Sequence, residues 1–254
     1  MQLQLMIEKV KVKTFFYLNY RKNQNWFKNF HYLFEDKKGL EIGGPSKIFQ
    51  DNILNIYELA RVIDGVNFSS NTVWEGVIKN NVYNYAENKQ GTQFILDGTD
   101  LNQINNGSYD FLLSSHNLEH IANPLKAVED WVRILKKDGV LLLILPDKRY
   151  TFDINRPYTE FNHIYTDYKN NVGEDDLTHV DEIFRFHELK RDNGAPQDRY
   201  KFKERCENNF DNRCMHHHVF STELLAEIYY YFDIEILGQR FIEPYHKIII
   251  GRKK

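Results

Sequence analysis

Only two cysteines, Cys206 and Cys214, occur among the 254 residues. No disulfide framework can be built from them, and the usage fits a reducing cytosol. The chain also lacks an excess of either charge. A formal net charge of -3 at pH 7 gives no global electrostatic case for nucleic acid or an anionic membrane. No apolar run approaches the length of a transmembrane helix. Glu8, Lys9, Lys11 and Lys13 interrupt the N-terminal apolar residues, so no signal-peptide core is expected. Internal repeats and low-complexity tracts are absent, which favours one domain with an insertion. These absences leave a soluble cytoplasmic protein with neither nucleic acid nor membrane as partner, and they leave the oligomeric state open. What is present suits a globule: 42% hydrophobic, 27% charged and 15% aromatic residues. That supplies a core and an aromatic-lined pocket.

Residues 1–38 carry Phe15, Phe16, Leu18, Trp26, Phe27, Phe30, Leu33 and Phe34 at roughly helical spacing, which predicts an N-terminal helical cap over the sheet or the mouth of a site. Five strands are expected next. The first ends at Gly43-Gly44. The second is Ala60–Ile63, ending at Asp64-Gly65, and the third is Gln93–Leu96, ending at Asp97-Gly98. The fourth is Tyr109–Leu113, and the fifth, Val140–Leu145, is a near-continuous aliphatic run typical of a strand buried on both faces. Between the last two, Asn123 suits an N-cap and Pro124 the first helical position. Leu125, Val128, Trp131 or Val132, and Leu135 mark one apolar face, with Lys136 and Lys137 in the last turn and Gly139 as the stop. From Asp147 to Val219 the sequence is polar, aromatic and histidine-rich, with Pro157 and Pro196 interrupting any long helix. Phe232–Leu237 and His246–Ile250 then read as strands joined by a turn containing Pro244.

The stretches Gly39-Leu40-Glu41-Ile42-Gly43-Gly44-Pro45-Ser46 and Asp110 through Leu118-Glu119-His120 read as buried strands running into turns. Open α/β sheets place nucleoside-like ligands at such carboxyl edges. The pairing resembles class I S-adenosylmethionine-dependent methyltransferases of the type 11 kind, and the terminal hairpin and Leu118-Glu119-His120 extend the likeness. The resemblance implies an α/β, Rossmann-like sheet, mostly parallel with an antiparallel last strand. It covers roughly Leu40–Leu145 by motif and implies a methyltransferase domain over 39–254, with 147–219 as an acceptor-binding lid that orders around a ligand rather than around a core of its own.

S-adenosyl-L-methionine is the cofactor so implied. Gly43 and Gly44 would give close backbone approach, with Ser46 closing the turn. The family pattern implies that Glu41 helps fix the turn and sits near the cationic amino group, that Asp64 binds the ribose, and that Asp97-Gly98 stands beside adenine. Ser114, Ser115 and His116 would line the methionine side. The glycine motif is shorter than the family's fuller form, and no long strand obviously precedes Asp64. A Rossmann oxidoreductase using NAD is the rival fold-mate, but Gly43-Gly44-Pro45-Ser46-Lys47 lacks its third glycine. A non-catalytic nucleotide-binding or interaction module is the other alternative.

The acceptor must be read from the remaining segments. Ser114-Ser115-His116-Asn117 replaces the Pro-Pro-aromatic motif of nucleic-acid amino methyltransferases, and neither cysteine follows a proline. Eight of the ten histidines lie between His116 and His218. Each alone reads as a buried hydrogen-bonding residue. Together, His179, His216, His217 and His218 read as acceptor-side histidines, one of which could serve a hydroxyl as base. Arg156, Arg185, Arg199, Arg205 and Arg213 could hold a phosphate or carboxylate. A metal set from Asp176, His179, Cys206, Cys214, His216 and His218 lacks zinc-knuckle spacing, and the insertion has no His-x-x-x-His pair, so no metal is expected. The block from Leu145 to Asp153 through His163, Asp176 to His179 and the three histidines resembles bacterial methyltransferases found with capsular and surface-polysaccharide biosynthesis. That likeness implies a small glycan or phosphorylated precursor, or its phosphoramidate substituent, as methyl acceptor.

Overall fold

The computed structural model describes residues 19–254. Ten strands form: β1 Lys38–Ile42, β2 Val62–Asn67, β3 Asn71–Thr72, β4 Gly76–Val77, β5 Val82–Ala86, β6 Lys89–Ile95, β7 Tyr109–Ser115, β8 Leu135–Pro146, β9 Ile234–Ile242 and β10 His246–Lys253. Eight of them build one sheet in the order β5-β6-β2-β1-β7-β8-β10-β9, and β3 pairs with β4 alone. The β6-β2-β1-β7-β8 ladder is parallel, while β10 runs antiparallel to both β8 and β9. This is the expected α/β, Rossmann-like sheet with an antiparallel last strand, extended by an antiparallel edge strand, β5.

The apolar runs are buried on both faces, as a covered parallel sheet requires. Along β8, Leu141, Leu143 and Leu145 join one core cluster, and Val140, Leu142 and Ile144 the other. Trp131 and Leu125 of the helix Pro124–Ile134 pack on the first face. Phe27, Leu33 and Phe34 of the N-terminal cap pack on the second, with Phe34 edge-on to Phe111 at 5.1 Å. The cap thus covers a sheet face; its expected members Phe15, Phe16 and Leu18 lie outside the described residues.

Asn123 caps its helix as expected, its Oδ1 accepting from the Lys126 amide at 3.1 Å. The helix nevertheless ends at Ile134, short of Lys136, Lys137 and Gly139. The chain passes straight into β8, and those residues form an irregularity between the pairs Tyr109–Leu135 and Phe111–Val140.

After β8 come the helices Phe161–Lys169, Val180–Phe186, Arg199–Glu207 and Asn209–Asn212. Contrary to expectation, this insertion has a small core of its own: Val180, Ile183, Ala195, Phe202, Cys206 and Met215. The buried Arg156 ties its ends together. It donates to Asp153 Oδ1 (2.9 Å), Glu182 Oε1 (2.9 Å) and the carbonyls of His216 (2.8 Å) and His217 (3.1 Å). No helix among the described residues is long and apolar enough to cross a membrane.

Candidate active site

The carboxyl ends of β1, β2, β6 and β7 open on a narrow cleft lined by Ile42, Gly43, Asn67, Phe68, Asp97 and Asn117, among others. Gly43 has φ +77°, and a Cβ there would lie 2.5 Å from Asn117 Nδ2. No side chain fits at this turn without displacing the wall of the cleft.

Glu41 fixes the turn from beneath. Its Oε1 accepts from the Ser46 amide at 3.0 Å, and Oε2 accepts from the hydroxyls of Tyr57 and Tyr83 at 2.6 and 2.7 Å. Burial pushes its pKa up to about 7 against the pull of these bonds. With both oxygens occupied and the residue sealed, Glu41 fixes the turn, as the family pattern implies, from behind the cleft wall. Gly44 and Ser46 belong to the same turn, the Gly44 carbonyl accepting from Asn67 Nδ2 at 3.2 Å.

Asp64 corrects the sequence reading. It pairs with Leu40 in the middle of β2 rather than at its end. Its carboxylate accepts from the Thr92 amide (2.7 Å) and Tyr109 hydroxyl (2.9 Å) and meets Lys38 Nζ at 2.9 Å. It holds strands together. The residue at the strand end is Asn67, whose buried Oδ1 has no partner.

Asp97 and Gly98 do line the cleft. Asp97 accepts from the amide and hydroxyl of Thr99 and pairs with Arg213 at 3.1 Å. Burial alone would raise its pKa, but these partners hold it below the usual carboxylate value. The Arg213 guanidinium lies 5.0 Å from the Phe68 ring. Trp131 anchors the turn by donating to the Gly98 carbonyl at 2.8 Å.

Ser114 and Ser115 are the last residues of β7 and are buried. His116, at φ +50°, turns away from the cleft, its Nε2 lying 2.9 Å from His246 Nδ1. It lines a second cavity of about 950 Å³ together with Glu119, Phe152, Arg205, His216 and Tyr245. Burial, then the neighbouring His246 and His216, push its pKa down to about 3. Trp74 and His120 border both cavities, so the two spaces meet there.

The four acceptor-side histidines separate. His216 lines the second cavity, and its Nδ1 lies 2.5 Å from Asp153 Oδ2. Burial opposes its charge, but Asp153 prevails and raises its pKa. His217 is sealed against Asn209 at 3.1 Å, and His218 against the Ala122 carbonyl at 3.0 Å. His179 faces His163, with Nε2 atoms 3.3 Å apart. These three line neither cavity. Among the arginines singled out earlier, Arg205 lines the second cavity, joined by Arg191, which sequence reasoning passed over. Arg156 is internal, Arg213 sits at the first cleft, and Arg185 and Arg199 lie over Phe186 and Phe184.

The first cleft offers a small ligand both apolar contact and hydrogen-bond acceptors. It has apolar walls in Ile42, Val66, Leu96 and Ile121, a backbone turn that excludes side chains, and buried unpartnered acceptors in Asn67 Oδ1 and Asn117 Oδ1.

Residues 56–143 match the family model described as a methyltransferase domain. The match begins beyond Gly43, so the shortened glycine turn lies outside it. No curated protein matches the chain. Among solved structures it is similar to a SAM-dependent methyltransferase from Aquifex aeolicus, with 13% identity, 87% of this chain and 85% of that chain covered, and TM-score 0.46. It is also similar to a possible histamine N-methyltransferase from Thermotoga maritima (17%, 96% and 96%, 0.44). A third is the 1,6-didemethyltoxoflavin-N1-methyltransferase of Burkholderia thailandensis, solved with its substrate and S-adenosylhomocysteine (11%, 93% and 78%, 0.47). Much of the cleft is lined by this matched segment, which is similar to a methyltransferase domain.

Proposed function

We propose that the chain is an S-adenosylmethionine-dependent methyltransferase, that it methylates an oxygen of a small polar acceptor, a capsular or surface-polysaccharide precursor or its phosphate or phosphoramidate substituent, and that residues 147–219 form the acceptor-binding lid. The observation that carries this reading is the meeting of two cavities at Trp74 and His120. One is built for a nucleoside. The other is roofed by Phe152, Arg191, Arg205 and His216 of the insertion and holds aromatic, cationic and imidazole groups suited to a sugar or phosphate. The polysaccharide setting rests on the sequence resemblance alone.

S-adenosylmethionine supplies an electrophilic methyl on a sulfonium. The chain's task is to aim it and exclude water. Gly43, Asn67 and Asp97 hold the nucleoside end, and Glu41 keeps the turn rigid without touching it. The acceptor oxygen forms the new C–O bond as the C–S bond breaks, the electron pair stays on sulfur, and a hydroxyl acceptor sheds one proton. Of the four histidines, His216 is the one that lines the second cavity.

A labelled-methyl transfer assay across nucleotide sugars, phosphorylated sugars and nucleic acid tests the reading. Incorporation into a sugar-containing acceptor is expected, with Arg205→Ala raising KM for anionic acceptors and leaving cofactor affinity intact. Transfer confined to nucleic acid or protein would refute it.

A further inference from the structure

Glu119 is fully buried, and neither of its carboxylate oxygens receives a hydrogen bond. The nearest ring nitrogen paired with it, His116 Nδ1, is 3.9 Å away. A carboxylate removed from water without donors is costly, and proteins normally pair such groups or give them to a cation. Beside it, His120 Nδ1 is also buried and unpartnered, while the Met215 backbone bonds the same ring. His216 completes the group. Asp153 holds its Nδ1, so that Nε2 is the nitrogen available to a cation that displaces its proton, and its ring stands edge-on to that of His120 with centroids 4.5 Å apart. One ligand atom from each of the three lies within 4.8 Å of the others.

We propose that Glu119, His120 Nδ1 and His216 Nε2 bind a divalent cation of the zinc class, with Asp153 as the outer partner of His216 and the remaining positions open to the acceptor cavity. Two imidazoles and a carboxylate with an open position are a ligand set that zinc uses in catalytic sites. A carboxylate behind a ligating histidine fixes its tautomer and raises its basicity. All three residues line the second cavity, which gives the ion a path in. The proposal rests on the reading that an acceptor oxygen occupies that cavity. A bound hydroxyl would lose its proton to solvent near neutral pH. The resulting oxygen takes the methyl carbon, and sulfur leaves with the C–S pair.

The sequence gives no sign of this site, because its ligands come from the turn after β7 and from the far end of the insertion. Two other ligand groups exist among the described residues, His163-Asp167-His179-His218 and Asp176-His179-His217. They share His179, and none of their members lines either cavity.

Chelator-treated protein titrated with Co2+ tests the assignment, by visible d–d absorption, bound metal per chain and melting temperature. One ion per chain is expected, with a rise in Tm. Glu119→Gln and His120→Asn should abolish the spectrum, Asp153→Asn should weaken affinity about 10- to 100-fold, and His163→Ala should change neither stoichiometry nor spectrum. Absence of Co2+ binding to the wild type overturns the proposal. Binding that survives Glu119→Gln and His120→Asn but is lost in His163→Ala does so equally. S-adenosylhomocysteine calorimetry on the same samples reports folding of each variant. It also separates the outcomes: a protein that binds the nucleoside but no Co2+ loses the metal site alone, and one that binds neither loses the methyltransferase reading too.

Discussion

At the scale of single residues, two carboxylates read alike in sequence do different work, and neither lines the first cleft. Glu41 takes three internal donors and Asp64 ties β2 to its neighbours. For Glu41 this has a pH consequence. Burial raises its pKa from 4.5 to about 7, so between those values the folded protein holds a proton that the unfolded chain has released. Stability should therefore fall as pH rises through this window and level off above it, by on the order of 2–3 kcal/mol. Urea denaturation midpoints between pH 4 and 8 measure the slope. Glu119 and Glu174 are raised to about 7 as well, so Glu41→Gln should reduce the slope without abolishing it, and an unchanged slope in that variant would remove Glu41 as a source.

Asp64 also shows why one site residue was misplaced. Asp64-Gly65 looks like a turn, so the strand was ended there. In the fold Gly65 lies inside β2 because a Cβ would stand 2.3 Å from the Tyr83 ring; the glycine serves a close ring approach, and Val66 and Asn67 carry the strand onward. The apolar residues Val66 and Phe68 beyond the glycine were the available signal. Gly43 and Asp97 were legible because glycine and acid types at strand ends carry local information. The grouping of Glu119, His120 and His216 was not, since it depends on how the insertion folds back.

Among elements, the legible ones had a strong local pattern: the aliphatic run of β8, the Asn123-Pro124 start of its preceding helix, and the closing hairpin. The stop of that helix was misjudged because Gly139 marks a strand irregularity, not a cap. The insertion was misjudged in kind. Its apolar residues are spread over several short helices, so no single stretch shows a periodic face, yet they converge on Phe202 and Ile183. Phe202→Ala should cost about 3–5 kcal/mol locally. Hydrogen exchange should then speed up through residues 147–219 while the sheet keeps its protection. Uniform loss of protection across the sheet would show that the insertion has no separate core.

For the whole molecule, the sheet sets a cleft at its carboxyl edge, and the insertion sets a polar cavity against it, the two meeting at Trp74 and His120. The proposed function puts S-adenosylmethionine, not a dinucleotide, in the first cleft. Calorimetry of the full chain with S-adenosylmethionine and with NAD decides it most directly. The account predicts one S-adenosylmethionine site per chain and weaker or no NAD binding. Affinity should fall about tenfold or more in Gly43→Ala, where φ +77° and Asn117 oppose a side chain, and should be retained in Asp64→Asn. No heat with S-adenosylmethionine, or tighter binding of NAD, would contradict the account.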